Sequence, residues 1–251
     1  VTAAPQPIDN PLDRIAPEAG DLLRRVDLVI GQLGVPSGHP LVPLLARLRL
    51  RPGEALRALL DVRPDDLHAA AASLRRLAAG YRADVVAPLH RSVGELGWRG
   101  AGFDAFAERW TALARHIAAD DASMAARLEA TAEFAESVAG WFVRARQALA
   151  VVLTEAFGST EAVVLRSCQA LDTDGAGLRR ALVTGEIEAG VRLVEAAVGI
   201  GAAVLDAVSR WYEVAVESFG GDGHLDRTAP LSDPRVSSAD VPADGAGWVR
   251  L

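Results

Sequence analysis

Lysine is absent from this 251-residue chain: all 26 basic side chains are arginine. With the abundance of alanine, that bias points to a GC-rich genome rather than to a special use of guanidinium groups. Cysteine occurs once, at Cys168, so no internal disulfide can form and the redox compartment is left open. A basic excess is missing too. The formal charge is −7 and the pI about 5.3, which counts against a general nucleic-acid binder, because such a protein needs a positive face to displace counterions. Aromatic residues make up only 5% of a chain that is half hydrophobic. Alanine and leucine supply most of the apolar surface, and both favour helix. The opening "VTAAPQPIDNPLDR" lacks the charged-then-apolar pattern of a signal peptide. The longest uncharged apolar run, Ala196 to Leu205, is far shorter than the roughly 20 residues that cross a bilayer. The chain is therefore expected to be soluble when made.

Catalytic and metal-binding patterns are also missing. Histidines stand at positions 39, 68, 90, 116 and 224, with no i, i+4 pair and no HExxH, so no zinc site is expected. His116 near Asp120 reads as a solvated pair on a helix face. "DTDG" (172–175) has the look of a calcium loop, but with Gly175 at its sixth position the first and twelfth positions are Ala170 and Ala181. Those positions need acids, so a flexible turn is the better reading. Gly199-Ile-Gly201 puts Val204 where a nucleotide loop has its third glycine, and no strand precedes it. Close helix packing explains these glycines better. There is no G-x-S-x-G, and Cys168 lies in "LRSCQA" without a local histidine, as a buried thiol would. Asp120-Asp121 shows no opposing pocket. No catalytic residue, cofactor or metal is expected, and the protein reads as noncatalytic.

What remains is helix. Residues 1–17 carry four prolines and read as a mobile lead. Leu22, Leu23, Val26, Val29 and Ile30 give Asp21–Gly31 one apolar side. "GVPSGHP" (34–40) is a turn cluster, followed by short helices at about 40–50 and 53–62, the second opened by Pro52. From "RPDD" a stripe recurs every three or four residues: Leu67, Leu74, Leu77, Tyr81, Val85, Leu89 and Val93. Pro88 lies inside it and should bend it or break its hydrogen-bond ladder. After a glycine-rich break at 97–102 a second stripe runs through Phe103, Phe106, Trp110, Leu113 and Ile117. Beyond Asp120-Asp121 it resumes at Met124 and continues to Val152. If unbroken, 102–156 makes a helix of about 80 Å that needs a covering helix. "GSTE" (158–161) ends it and caps a further helical region reaching about Phe219. The Gly-, Pro-, Asp- and Ser-rich stretch 220–251 should be disordered. The expected fold is all-α: a lead (1–17), short helices packing on a hairpin (18–63), the hairpin (64–156), C-terminal helices (158–219) and a tail (220–251).

The two stripes meet at "ELGWRGAGFDAFAERW" (95–110). A tight turn there folds them into an antiparallel pair. Gly97 and Gly100 permit backbone angles that residues with a Cβ resist, Trp98 caps the open end of the core, and Asp104 and Glu108 favour the second helix's N-terminus. The expected hairpin core is Leu74, Tyr81, Leu89, Phe103, Phe106, Trp110, Leu113 and Ile117.

On Trp98-Arg99-Gly100, with "LHAAAASLRRLAAGY" before it and "AGFDAFAERWTALARHI" after it, the chain resembles the W-x-G superfamily of type VII (ESX-type) secretion proteins. The resemblance covers about 64–156 and is to the larger, multi-helix members. It implies a helical hairpin that works by protein–protein association, as a substrate or a substrate's partner. The partner would be a secretion-system protein or a second copy, and the chain would be made in the cytoplasm and exported to the envelope or medium. Two features depart from the family. Some 60 residues precede the hairpin, and the Tyr-x-x-x-Asp/Glu export signal has no match. Trp141 and Phe142 are followed at the fourth position by Ala145 and Arg146, and Tyr212 by Val216. Rival readings are a delivery adaptor for a separately encoded toxin and, from another class, a small-molecule-binding or enzymatic helical bundle. Membrane-surface insertion by the apolar 187–219 is a weaker idea than a core helix.

Overall fold

Asn10 opens the first helix. Its Oδ1 accepts the Leu12 N–H at 3.0 Å, and Pro11 occupies the first helical position, where no N–H is needed. Helix α1 spans Pro11–Leu33 and ends at Gly34, whose φ of 80° turns the chain. The lead expected over 1–17 is thus helical from Pro11, with Pro17 inside the helix and unable to donate to the Asp13 carbonyl. This computed structural model describes residues 10–95, 97, 99–119, 123–168, 171, 187–219 and 248–249.

After α1 come the two-residue strand β1 (Val35–Pro36), α2 (Leu41–Leu48), α3 (Pro52–Asp61) and α4 (Pro64–Gly80). A π-helical turn, π1 (Tyr81–Val86), leads into α5 (Ala87–Glu95). Next, α6 (Ala101–Ala114) passes into a second one, π2 (Arg115–Ala119). Then follow α7 (Met124–Phe157), α8 (Thr160–Ser167), α9 (Ile187–Phe219) and β2 (Trp248–Val249). The fold is all-α, as the composition predicts. Among the described residues one short ladder pairs Val35 with Val249 and Pro36 with Trp248, antiparallel. Paired backbone at 248–249 corrects the expectation of disorder throughout 220–251; two residues are too few to show strand alternation in a sequence. Residues 220–247, like "DTDGAG" (172–177), lie outside the described residues.

The stripe over 102–156 does not form one unbroken helix: α6 and π2 end at Ala119 and α7 begins at Met124. Ser123, almost fully buried, accepts the Ala126 N–H at 3.2 Å through Oγ and caps α7, which therefore starts anew. At 34 residues α7 is about 51 Å long. Ser159 caps α8 in the same way, accepting from Ala162 at 3.2 Å, as "GSTE" predicts.

The chain divides into two compact units. Of the described residues, unit 1 holds those of Arg63–Val143 and unit 2 those of 10–62 and of 144–249, so the boundary falls within α7. The short helices expected at 18–63 to pack on the hairpin share unit 2, up to Val62, with its last part, 144–156, and with α8 and α9; the rest of the expected hairpin forms unit 1. The reason is side-chain size. Leu12, Leu23, Leu41, Leu153, Leu165 and Leu205, all fully buried, come from five helices of unit 2 and fill one core. Helix α9 packs against α1, α2, α3 and α8. Its small Gly201 admits Pro52, Ile30 and Leu41, which a Cβ would meet at 3.3–3.4 Å. The 187–219 segment is thus a core helix of unit 2. No single described helix is long and apolar enough to cross a membrane; α7 and α8 pass only as a pair bent by 70°.

Candidate functional site

In unit 1, Arg75 pairs with Glu136 and Arg82 with Glu129. The numbers rise by seven on one side and fall by seven on the other, so α4–π1 runs antiparallel to the first part of α7. Each pair uses both guanidinium nitrogens on both carboxylate oxygens. The arginine hydrogen bonds hold both glutamate carboxyls below their usual range. All four groups face water, so these pairs fix register more than they stabilise.

Between the helices lies a seam of methyl groups. Ala71 and Ala78 on α4, Ala114 on α6, and Ala125, Ala132 and Ala139 on α7 are 0–2% exposed. With Ser123 they are the only buried residues among those described in unit 1. The seven-residue spacing keeps alanine on one line of each helix, and a side chain this small lets backbones approach closely. Four residues after each of Ala71, Ala78, Ala125 and Ala132 stands a member of the Arg–Glu pairs. That flank of the seam is charged.

The other flank is apolar. Three residues after Ala71, Ala78, Ala107 and Ala114 come Leu74, Tyr81, Trp110 and Ile117, all half-buried. One residue before Ala78, Ala107, Ala114 and Ala125 come Leu77 (56% exposed), Phe106 (40%), Leu113 (48%) and Met124 (40%). These rows correct the expected hairpin core. Phe106 and Leu113 are exposed; Leu74, Tyr81, Phe103, Trp110 and Ile117 are half-buried; the Leu89 side chain lies outside the described set. The expectation weighted large apolar residues, whereas close approach selects the smallest. The sequence signal that finds the seam is alanine at steps of seven.

Between α5 and α6, Gly97 and Gly100 take φ of 58° and 102°, the left-handed region that favours glycine. A Cβ at either would meet nothing within 4 Å, so the demand is conformational, not steric. The Gly100 carbonyl accepts the N–H of Phe103 at 2.9 Å and of Asp104 at 3.1 Å, starting α6. Asp104 sits in its first turn. Trp98 lies outside the described residues.

Ionisable groups elsewhere serve structure. His39 accepts the Leu41 N–H at 3.1 Å through Nδ1 and caps α2. Arg146, 3% exposed, reaches from α7 to the Val62 carbonyl at 2.9 Å and to the Asp13 carboxylate. Arg24 and Arg25 on α1 donate to the carbonyls of Leu171 (3.0 Å) and Leu165 (3.4 Å). Asp27 accepts the Gly53 N–H at 3.2 Å, across from α1 to the first turn of α3; burial pushes its carboxyl up to about 6. Cys168 is half-buried and unbonded to sulfur, not fully buried as expected. His116 is exposed, and Asp120 lies outside the described residues. Among the described residues, no group of three His, Cys, Asp or Glu is placed to hold a metal ion.

The site is therefore a surface: an alanine-sealed antiparallel helix pair, charged along one flank and apolar along the other. No family model, curated protein or solved structure matches the chain.

Proposed function

We propose that the protein is a noncatalytic helical component of a type VII secretion system, a substrate or the partner of one, and that it acts by association through unit 1. The observation that carries this reading is the exposed row Leu77, Phe106, Leu113 and Met124 beside the alanine seam. A buried methyl contributes about 0.8 kcal/mol, whereas a fully buried leucine or phenylalanine contributes about 1.5–3 kcal/mol. Unit 1 fully buries the former and leaves these four larger side chains exposed, so a protein that covers the row supplies burial that the chain alone does not achieve. The Arg–Glu flank then sets register and orientation at the rim.

The W-x-G resemblance supports the secretion context, with the positive-φ glycines at 97 and 100 as its local backbone requirement. Culture fractionation with affinity capture from the native host tests the reading. The expected result is protein in the envelope or medium, or a secretion component captured with it. Protein confined to the cytoplasm with no secretion component attached would refute it.

A further inference from the structure

Both arms of the helical pair in unit 1 change hydrogen-bond pattern at the same level. In the first arm the Tyr81 N–H is shared between the carbonyls of Ala78 and Leu77, and the ladder then widens until Ala87 donates to Arg82. In the second arm the Arg115 N–H is shared between Ala112 and Thr111 before π2 begins. The two π turns lie against each other. A π turn holds one residue more than the α-helix it interrupts, because its hydrogen bonds run from i to i+5. Two such defects side by side are different from one: a kinked helix beside a straight one is splinted, whereas interruptions in register let both arms bend together.

Three further observations agree. No residue of π1 is buried, and none of Arg115, His116, Ile117 or Ala118 is. Burial resumes on either side, at Ala78 and Ala114. Pro88 supplies no N–H just after π1 and cannot donate to the Asp84 carbonyl, so the ladder is missing a bond there. Arg75–Glu136 fastens α4 to α7, and Arg82–Glu129 ties the end of π1 nearest α4 to α7, so the rest of π1 is left without such a tether among the described residues. Few buried contacts and an interrupted ladder mark a segment that opens locally before its neighbours do.

The geometry points to a transverse hinge made of π1 and π2, about which the α5–α6 tip tilts as one body while the alanine seam of α4 and α7 stays closed. The hinge lies within unit 1 and needs no partner. It is tested by amide hydrogen exchange on the full chain and its Pro88→Ala variant. Amides of 82–87 and 116–119 should exchange at least tenfold faster than those of 69–77, 105–113 and 126–139. Protection within 105–113 separates a hinge from general fraying of the tip. Pro88→Ala restores a donor to the first arm only, yet a shared hinge requires it to slow exchange in both π turns, by at least threefold. Slow exchange at either π turn, unprotected 105–113, or a Pro88→Ala effect absent from 116–119 would each overturn the proposal.

Discussion

Single residues in unit 2 show how local space and charge decide outcomes. Gly199 and Gly201 are two places apart on α9, yet a Cβ at 199 meets nothing within 4 Å and one at 201 meets three side-chain atoms at 3.3–3.4 Å. Gly199→Ala should stabilise the protein by about 0.5–1 kcal/mol through helix propensity. Gly201→Ala should destabilise it by about 1 kcal/mol, because overpacking offsets that gain. Urea denaturation of both variants checks the contrast. Asp13 is half exposed and Arg146 is not. Asp13→Ala therefore leaves a buried guanidinium without a counter-charge and should cost about 2–3 kcal/mol, below the figure for fully buried pairs because water reaches Asp13. Adding Arg146→Met should recover most of that loss. Asp27 gives a pH dependence. Its folded pKa of about 6 exceeds the ordinary 3.8, so its contribution is full below about pH 4 and is lost as pH rises through 6. Asp27→Asn keeps an acceptor for Gly53 and should flatten stability across pH 4–7, with a gain of up to about 3 kcal/mol at pH 8. An unchanged slope in denaturation titrations would contradict this account of Asp27.

At the scale of elements, punctuation was legible and partnership was not. Pro52, Ser159 and the glycines at 97 and 100 each carry a local signal, and each stands at the boundary or turn it predicts. The Asp120-Asp121 interruption also precedes a real helix start at Ser123. The alanine seam escaped because alanine is abundant everywhere in this chain, so the buried row does not stand out by composition. Large residues at spacings of three and four carry the stronger periodic signal, and they flank the seam. Nor could sequence show that Pro88 follows a π turn, since a shift from i+4 to i+5 leaves the apolar stripe almost unaltered. The seam makes a sharp prediction. Ala78→Leu or Ala132→Leu, usually a mild change in a helix, should destabilise unit 1 by about 1–3 kcal/mol, because the added atoms hold the backbones apart. The same substitution at exposed Ala79 should be close to neutral. Thermal unfolding followed by circular dichroism distinguishes the two.

For the whole molecule, the two units differ in what they bury. Unit 2 closes over leucines from several helices, and its buried arginines are tied to carbonyls and a carboxylate within the same unit. Unit 1 closes over methyl groups, leaves Leu77, Phe106, Leu113 and Met124 exposed and half-buries Leu74, Tyr81, Trp110 and Ile117. Which segments share a unit was not legible, because it depends on long-range packing that no local pattern records. The functional reading rests on unit 1's apolar flank being covered by another protein chain. Site-specific photo-crosslinking in the native host tests it most directly, with a photoreactive phenylalanine at Leu113 on the apolar flank and, as control, at Arg76 on the exposed far side of α4. The account expects an adduct to a protein chain, a secretion component or a second copy, from position 113 and none from position 76. No adduct from 113, or equal adducts from both positions, would contradict it.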